Sequence, residues 1–455
     1  MTDGVVYREK ERTAKAPIMD GHAWFISYLL SNVSNGLTSP LIPLFVVIYL
    51  HSSVAYVGLT VSIASAASVP ALILWGNLSD ALEKRKVFLL IGFIGSFVSL
   101  LLILIVNSIG MFILTLVIFQ FLAMASTPVA TLLIIESTVE KRWPNVMASF
   151  NTMAYIGLVA GLGVGTLILN LYGSTGRSFL PELYIISAFV YLFAGISAWI
   201  LLPEPKKKLP RGSAKLDQIY SIRTVERVRY FPSHVIHTIS LRKNKTHKFA
   251  KRTKIYIFYT SFLMFGFQLF FIPFPVFLLE KLNGTETQIF VMFLLNNVAS
   301  AIAFKMSGKT INSLGITGSL SMALFSRVGI LAFSSILTFA FIGFNYALWI
   351  AISCYALMGF FWSFISISWV TSISKLALPE NRGRAIGYYN SFLGVGQIGS
   401  GVVSGVIAFT LGYTFVFAIA TVAVFAGSFM LVRFHKKMSE YIAPETKAPS
   451  VPISQ

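Results

Sequence analysis

Long apolar stretches, nearly free of charge, follow one another along the whole sequence: about 23–50, 54–75, 87–107, 111–135, 146–171, 182–202, 255–280, 287–307, 318–343, 346–374, 385–411 and 413–433. Each reaches the roughly 20 residues that an α-helix needs to cross a bilayer. In hydrocarbon every backbone N–H and C=O must find its partner within the protein, which makes spans of this length helices. Only 12% of the residues are charged and 56% are hydrophobic, against roughly 25% charged in a soluble domain. The sequence therefore predicts an all-α membrane protein with twelve transmembrane helices.

The placement of the cations orients them. With the N-terminus inside, 33 of the 36 Lys and Arg fall in segments on the inner side; Arg177 and Lys281 fall outside, and Arg327 lies within span nine. That bias follows the positive-inside rule and predicts a multi-pass protein of the cell membrane with both termini cytoplasmic. It also accounts for the net charge of +19 as a basic face beside anionic membrane lipid, so no nucleic-acid partner is expected. Fifteen of the cations lie in residues 204–254, the one long loop. The expected organisation is a six-helix bundle in 1–203, a basic cytoplasmic linker in 204–254, and a second bundle with a cytoplasmic tail in 255–455. The polar, mixed-charge first 22 residues argue against a cleaved signal peptide.

The two halves repeat each other. A shift of 232 residues aligns "SPLIPLFVVIYL" with "FIPFPVFLLEKL", so that Pro43 meets Pro275, Phe45 meets Phe277 and Leu50 meets Leu282. The same shift aligns Ala67, Ser68, Ala71 and Gly76 with Ala299, Ser300, Ala303 and Gly308. Further on, a shift of 239 pairs Asn151 with Asn390 and Gly157 with Gly396. Two related halves around a midplane site are a common plan of secondary transporters.

The stretch "WGNLSDALEKRK", 75–86, carries a resemblance to a known family. Gly76, Leu78, Ser79, Asp80 and the paired basics Lys84 and Arg85 match the loop motif between helices two and three of the major facilitator superfamily. Ala81 stands where that motif has a basic residue, and Glu83 where it has a Gly. "LLPEPKKK" after span six and "LPENRGRAIG" before span eleven are similar to further stretches of the family. The resemblance covers nearly the full length, and its look is closest to the drug-efflux type. It implies two pseudo-twofold-related six-helix bundles, no cofactor, and a small-molecule substrate carried by alternating access.

Asp80 ends an uncharged run, where burial without a partner is costly. In the family fold span eleven begins nearby, at the segment holding Arg384, and a helix N-terminus stabilises a carboxylate. Asp80 is thus expected to latch the two halves together on the cytoplasmic side. Lys84, Arg85 and Glu136 are the candidates to complete an ion network around it. The second half has Asn312 at the corresponding position, so the gate should be asymmetric.

The resemblance also implies which helices line the central cavity. Their polar residues at depth include Asn32, Asn35, Gln120, Gln268, Asn296 and Asn390, joined by Trp362; Asn32, Gln120, Gln268 and Trp362 are the leading candidates for substrate contact. Amides give donors and acceptors without charge, and rings give apolar area. Interhelical hydrogen bonding is the rival role for each amide. The palette favours a neutral or amphiphilic solute. Drug-type efflux is the first expectation, and uptake of a sugar or other organic solute the second. A coupling proton is left open, with Asp80 and Glu136 the candidates to carry it. Arg327 is expected to snorkel to the headgroups. Gly157, Gly161 and Gly165 in span five have the spacing that lets helices approach closely. Neither clustered nucleophiles and acid–base groups nor metal-ligand spacing occurs, so neither an enzyme nor a metal site is expected; a non-transporting polytopic membrane enzyme or receptor on the same fold is the rival class. Oligomeric state is not legible.

Overall fold

The computed structural model describes residues 23–82, 85–127, 129–130, 133–134, 143–172, 179–202, 251–340, 343–376 and 382–442. Its helices in the first half are α1 (Phe25–Tyr49), α2 (Val54–Leu82), α3 (Arg85–Leu101, continued by a 3₁₀ turn), α4 (Ile109–Ala123), α5 (Trp143–Tyr172) and α6 (Leu180–Leu201). The second half begins with α7 (Lys251–Leu282). One continuous run, Glu286–Ala340, holds 55 residues, about twice what a bilayer crossing needs. Its backbone leaves helical geometry at Gly315 (φ 71°, ψ 168°), which divides it into α8 (286–314) and α9 (316–340). α10 (Ala347–Leu376), α11 (Arg382–Thr410) and α12 (Tyr413–Ile442) complete the chain. Among the described residues ten helices are long and apolar enough to cross a membrane, the 54-residue Glu286–Phe339 among them, and Ile109–Ala123 is a shorter apolar one. Dividing the long run and counting the shorter helix gives the twelve crossings expected.

Several helices run past their apolar stretch. α2 continues to Leu82 and α12 to Ile442. Apolarity marks where lipid ends, whereas a helix stops only where backbone bonding stops. The stops have local causes. Asn283 takes the left-handed conformation (φ 51°) after α7, and the Gly284 amide donates to the Leu278 carbonyl at 2.8 Å, an arrangement that ends a helix. Gly412 (φ 93°) makes the reversal between α11 and α12. Gly315 falls where the 232 shift puts Glu83, in the loop whose family motif has a Gly; its φ is one that only glycine adopts without strain.

The packing obeys a twofold relation. α1 packs on α5 and α6, α3 on α6, and α2 on α4; in the other half α7 packs on α11 and α12, the α8–α9 run on α10, and the same run on α12. The two halves meet through α2 with α11 and through α5 with α8, pairs that the repeat exchanges with each other. The relation reaches single atoms. A methyl on Gly157 of α5 would overlap the Leu29 carbonyl oxygen of α1, and a methyl on Gly396 of α11 would come within 2.5 Å of the Ser261 carbonyl oxygen of α7. Leu29 and Ser261 are related by the shift of 232, and Gly157 and Gly396 by the shift of 239.

α1 and α7 are each interrupted at the repeated prolines. α1 runs helical over Phe25–Thr38, resumes over Leu41–Leu44 and ends in a π-helical turn, Phe45–Tyr49; α7 runs over Lys251–Phe271 and resumes over Phe274–Leu282. Pro40, Pro43, Pro273 and Pro275 have no N–H to return to the carbonyl four residues back, so the ladder breaks there. Around the outside, large apolar side chains such as Leu171, Trp199, Ile200 and Phe339 stay exposed. That is the surface expected of a protein whose solvent is lipid.

Candidate substrate cavity

A cavity of about 320 Å³ lies where the two halves meet. α7 contributes Met264, Phe267, Gln268 and Phe271, whose spacing of three, four and seven puts them on one helix face. α10 contributes Tyr355, Gly359 and Trp362 with the same logic, and α8 contributes Phe293, Asn296 and Asn297. From the first half come Leu158 and Leu162 of α5 and Ser39, at the interruption of α1. The wall between α8 and α10 is tightly tied. Asn296 Nδ2 donates to the Tyr355 carbonyl at 2.7 Å, Ser300 Oγ to the Gly359 carbonyl at 2.8 Å, and Ser363 Oγ to the Ser300 carbonyl at 2.7 Å. Gly359 admits this approach, because a side chain there would strike the Asn296 backbone.

The remaining wall is Arg327 of α9, only 2% exposed. Its Nη2 and Nε donate to the Met358 carbonyl at 2.8 and 3.1 Å. Its guanidinium carbon stands 4.3 Å from the ring centre of Phe267, 5.3 Å from that of Trp362 and 5.4 Å from that of Phe271. Each such contact contributes on the order of 1–2 kcal/mol when desolvated. The expectation of snorkelling is therefore wrong. The side chain turns inward, across the ring faces presented by α7 and α10, and does not run along the lipid.

The halves are closed at one end of the bundle and parted at the other. Near the loop at 50–53, α2 and α11 touch backbone to backbone. A methyl on Gly58 would overlap the Gly401 carbonyl, and one on Gly405 would come within 2.9 Å of the Ala55 carbonyl oxygen. A turn further along, Ser62 Oγ donates to the Ile398 carbonyl at 2.7 Å. Gly165 of α5 abuts the Phe290 ring of α8 at the same level. Toward the other end, which carries Arg85, Lys305, Lys309 and Lys375, methyls on Gly76 of α2, Gly387 of α11 or Gly308 of α8 would meet none of the described residues within 4 Å. A second cavity, about 1000 Å³, opens on that side between α5 and α8, with Asn151, Tyr155, Ile302 and Phe304 in its wall.

Comparison with known proteins agrees with this architecture. The profile of the Major Facilitator Superfamily matches residues 24–377. The chain belongs to the major facilitator superfamily. Among solved structures, a mutant of the nucleoside transporter NupG superposes with a TM-score of 0.70 at 16% identity, covering 91% of this chain and 99% of that one. A bacterial homologue of the iron transporter ferroportin, in an inward-facing state, gives 0.65 at 10% identity over 92% of this chain and 99% of its own. A bacterial homologue of the human lysosomal transporter Spinster, inward-facing and unoccupied, gives 0.59 at 13% over 92% and 96%. At these identities the likeness is one of fold. No curated protein matches in sequence. The protein is a multi-pass membrane transporter of this superfamily, and the family points away from an enzyme.

Within this superfamily member the expected site residues separate into groups. Gln268, Asn296 and Trp362 line the cavity together. Asn35 does not line it; its Oδ1 accepts from the Tyr191 hydroxyl of α6 at 2.8 Å. Asn32 gives its Nδ2 to the Tyr28 carbonyl at 2.8 Å. Both are thus engaged in structural hydrogen bonds. Gln120 is half-buried on α4 and Asn390 is exposed on α11, neither at the cavity wall. Of the gate residues, Gly76 sits on α2 at the parted end. Arg85 is buried and its Nη1 donates to both the carbonyl and the hydroxyl of Ser79, each at 2.7 Å, which satisfies a last-turn carbonyl of α2. Lys84, Glu136 and the side chains of Asp80 and Arg384 lie outside the described residues. Sequence reasoning missed Tyr355, the Phe267–Phe271 pair and the inward turn of Arg327. The signal available was a lone charge in an apolar run, together with two phenylalanines one turn apart on span seven.

Proposed function

We propose that this transporter moves a small organic solute by alternating access of the cavity between its halves. The observation that carries the reading is the single-sided contact of α2 with α11, closed at Gly58 and Gly401 and open at Gly76 and Gly387. Two rigid halves whose described residues touch at one end and part at the other can rock about that contact and exchange it for one at the other end. With the basic end and both termini in the cytoplasm of a cell-membrane protein, as the cation bias implies, the state described here faces inward. The division into bundles at 1–203 and 255–455, joined by a basic linker, belongs to the same proposal.

The expectation of drug-type efflux rested on an uncharged aromatic cavity and on the family-like segment "LPENRGRAIG". With Arg327 in the wall the first ground is gone and the segment alone sets no direction, so the proposal is a solute carrier of either direction. The nucleosides and iron named for the neighbours remain statements about those proteins. The test is counterflow in proteoliposomes across labelled sugars, nucleosides, organic anions and lipophilic cations, with and without a pH gradient. Exchange of at least one class is expected, and response to the gradient decides proton coupling. Folded, reconstituted protein that exchanges none of them contradicts the proposal.

The cytoplasmic latch is part of this reading. The outward-facing state needs a contact at the basic end, and Asp80 against the start of α11 is the proposed one. Asp80→Asn removes the charge and keeps the shape. Transport is expected to fall about ten-fold, and cysteines in the inner cavity should react faster with an aqueous thiol reagent. Unaltered transport together with unaltered labelling contradicts the latch.

A further inference from the structure

We propose that Arg327 is the anchor for an anionic group, carboxylate or phosphate, on the solute that occupies the cavity. The inference rests on the transporter reading and adds the chemical class of the cargo. Arginine presents five N–H donors in a planar fork. Here Nε and Nη2 are occupied by the Met358 carbonyl, while Nη1 is buried and meets no acceptor among the described residues. None of the residues lining the cavity is acidic. An unpaired donor on a buried cation is costly to keep, and a group of this kind within a membrane marks a substrate path by default.

The surroundings fix the cation and leave one edge for a ligand. Phe267, Phe271 and Trp362 crowd the guanidinium, and rings held at these distances attract its charge without supplying a hydrogen-bond acceptor. The Met358 carbonyl holds two donors and sets the plane of the fork. Arg327 lines the cavity, and an oxyanion there would supply the acceptor that Nη1 lacks among the described residues, in a charge-assisted bond of the stronger kind. Gln268, which lines the same space and whose side-chain amide bonds none of the described residues, is placed to bond a polar group on the same ligand. The aromatic wall suits an apolar body behind the anion. The class is thus a small organic anion, and a neutral drug-like molecule leaves the fork unmet.

The test compares anions with neutral isosteres on the purified full-length protein in detergent, read by thermal stability and by quenching of the Trp362 indole. The probes are benzoate against benzamide, short-chain carboxylates against their amides, phenyl phosphate against phenol, and inorganic phosphate and chloride to separate the organic ligand from a free ion. At least one organic anion is expected to bind ten-fold or more tightly than its neutral partner. That preference should vanish in Arg327→Gln and weaken in Arg327→Lys, which keeps the charge and loses the fork. Trp362→Phe identifies the share of quenching that comes from the cavity. If no anion exceeds its isostere in the wild-type protein, or if the preference survives Arg327→Gln, the inference falls, and the wild-type comparison needs no variant to fold. If only inorganic ions bind, the organic-anion assignment falls as well. Counterflow of neutral solutes that survives Arg327→Gln overturns this inference and leaves the transporter reading standing. Anion binding without any counterflow does the reverse.

Discussion

Gly58→Leu is expected to abolish transport while the protein remains folded. Gly58 faces the Gly401 carbonyl, with the Gly405 Cα at 3.0 Å from where a side chain would begin. Every one of these neighbours is backbone of α11, in the other half. No rotamer relieves the overlap, and the closed end can form only if one helix moves bodily. Overpacking of this sort costs about 1–3 kcal/mol or more. It falls on the contact between halves and leaves the packing within each half intact. At 1.4 kcal/mol per decade the closed end loses about ten- to hundred-fold in population. Counterflow should drop by at least that factor. A cysteine at Ser62, one turn deeper, should become reactive from the side that is closed in the wild type. Normal transport by Gly58→Leu would show that this contact is not made in the cycle.

The second large effect falls on folding. A methyl on Gly161 of α5 would overlap the Val33 carbonyl oxygen of α1 and lie within 3.0 Å of the Val33 Cα. Gly36 of α1 returns the contact, with Leu162 N at 2.9 Å from a hypothetical side chain and the Leu158 carbonyl oxygen nearer still. α1 and α5 are therefore packed backbone on backbone inside one half, and lipid offers no hydrophobic gain to compensate for separating them. Gly161→Leu should destabilise the first half by about 3 kcal/mol or more, a large share of a typical 5–15 kcal/mol. The measurement is the fraction that elutes as a monodisperse peak in detergent, together with its melting temperature. A wild-type profile would contradict the packing. Gly163, on the same helix with nothing within 4 Å of its added methyl, is the internal control: Gly163→Ala should be silent.

The two experiments probe features that differed in how visible they were. The helices were legible because a bilayer leaves few alternatives: a long uncharged run must be a helix, and the matched prolines at 43 and 275 carried the repeat. The close approach of α5 to its neighbours was legible from Gly157, Gly161 and Gly165, since small residues one turn apart have few other uses in lipid. What divides them was not. Gly157 and Gly161 serve contact within a half, and Gly165 serves contact between halves, a distinction that spacing does not carry. The amides were equally ambiguous. Asn35 and Asn296 are alike in sequence, yet Asn35 bonds Tyr191 of α6 while Asn296 stands at the cavity. Rotational phase in the bundle decides this, and an apolar run with uniform hydrophobicity gives no phase. Arg327 was misread for the same reason. Its depth was evident, but not that its face of α9 points at the aromatic faces of α7 and α10.

Alternation of the two ends is the claim on which the functional account depends. The chain has one cysteine, the buried Cys354, so a Cys354→Ser background accepts paired spin labels. One pair at Gly76 and Gly387 reports the basic end, and another at Ser53 and Leu411 reports the opposite end. Pulsed electron–electron distances from both pairs, taken with and without a transported solute, are expected to change in opposite senses, one shortening as the other lengthens. Distances that stay fixed in an actively transporting preparation, or that lengthen and shorten together, would contradict rocking of two halves about a shared cavity.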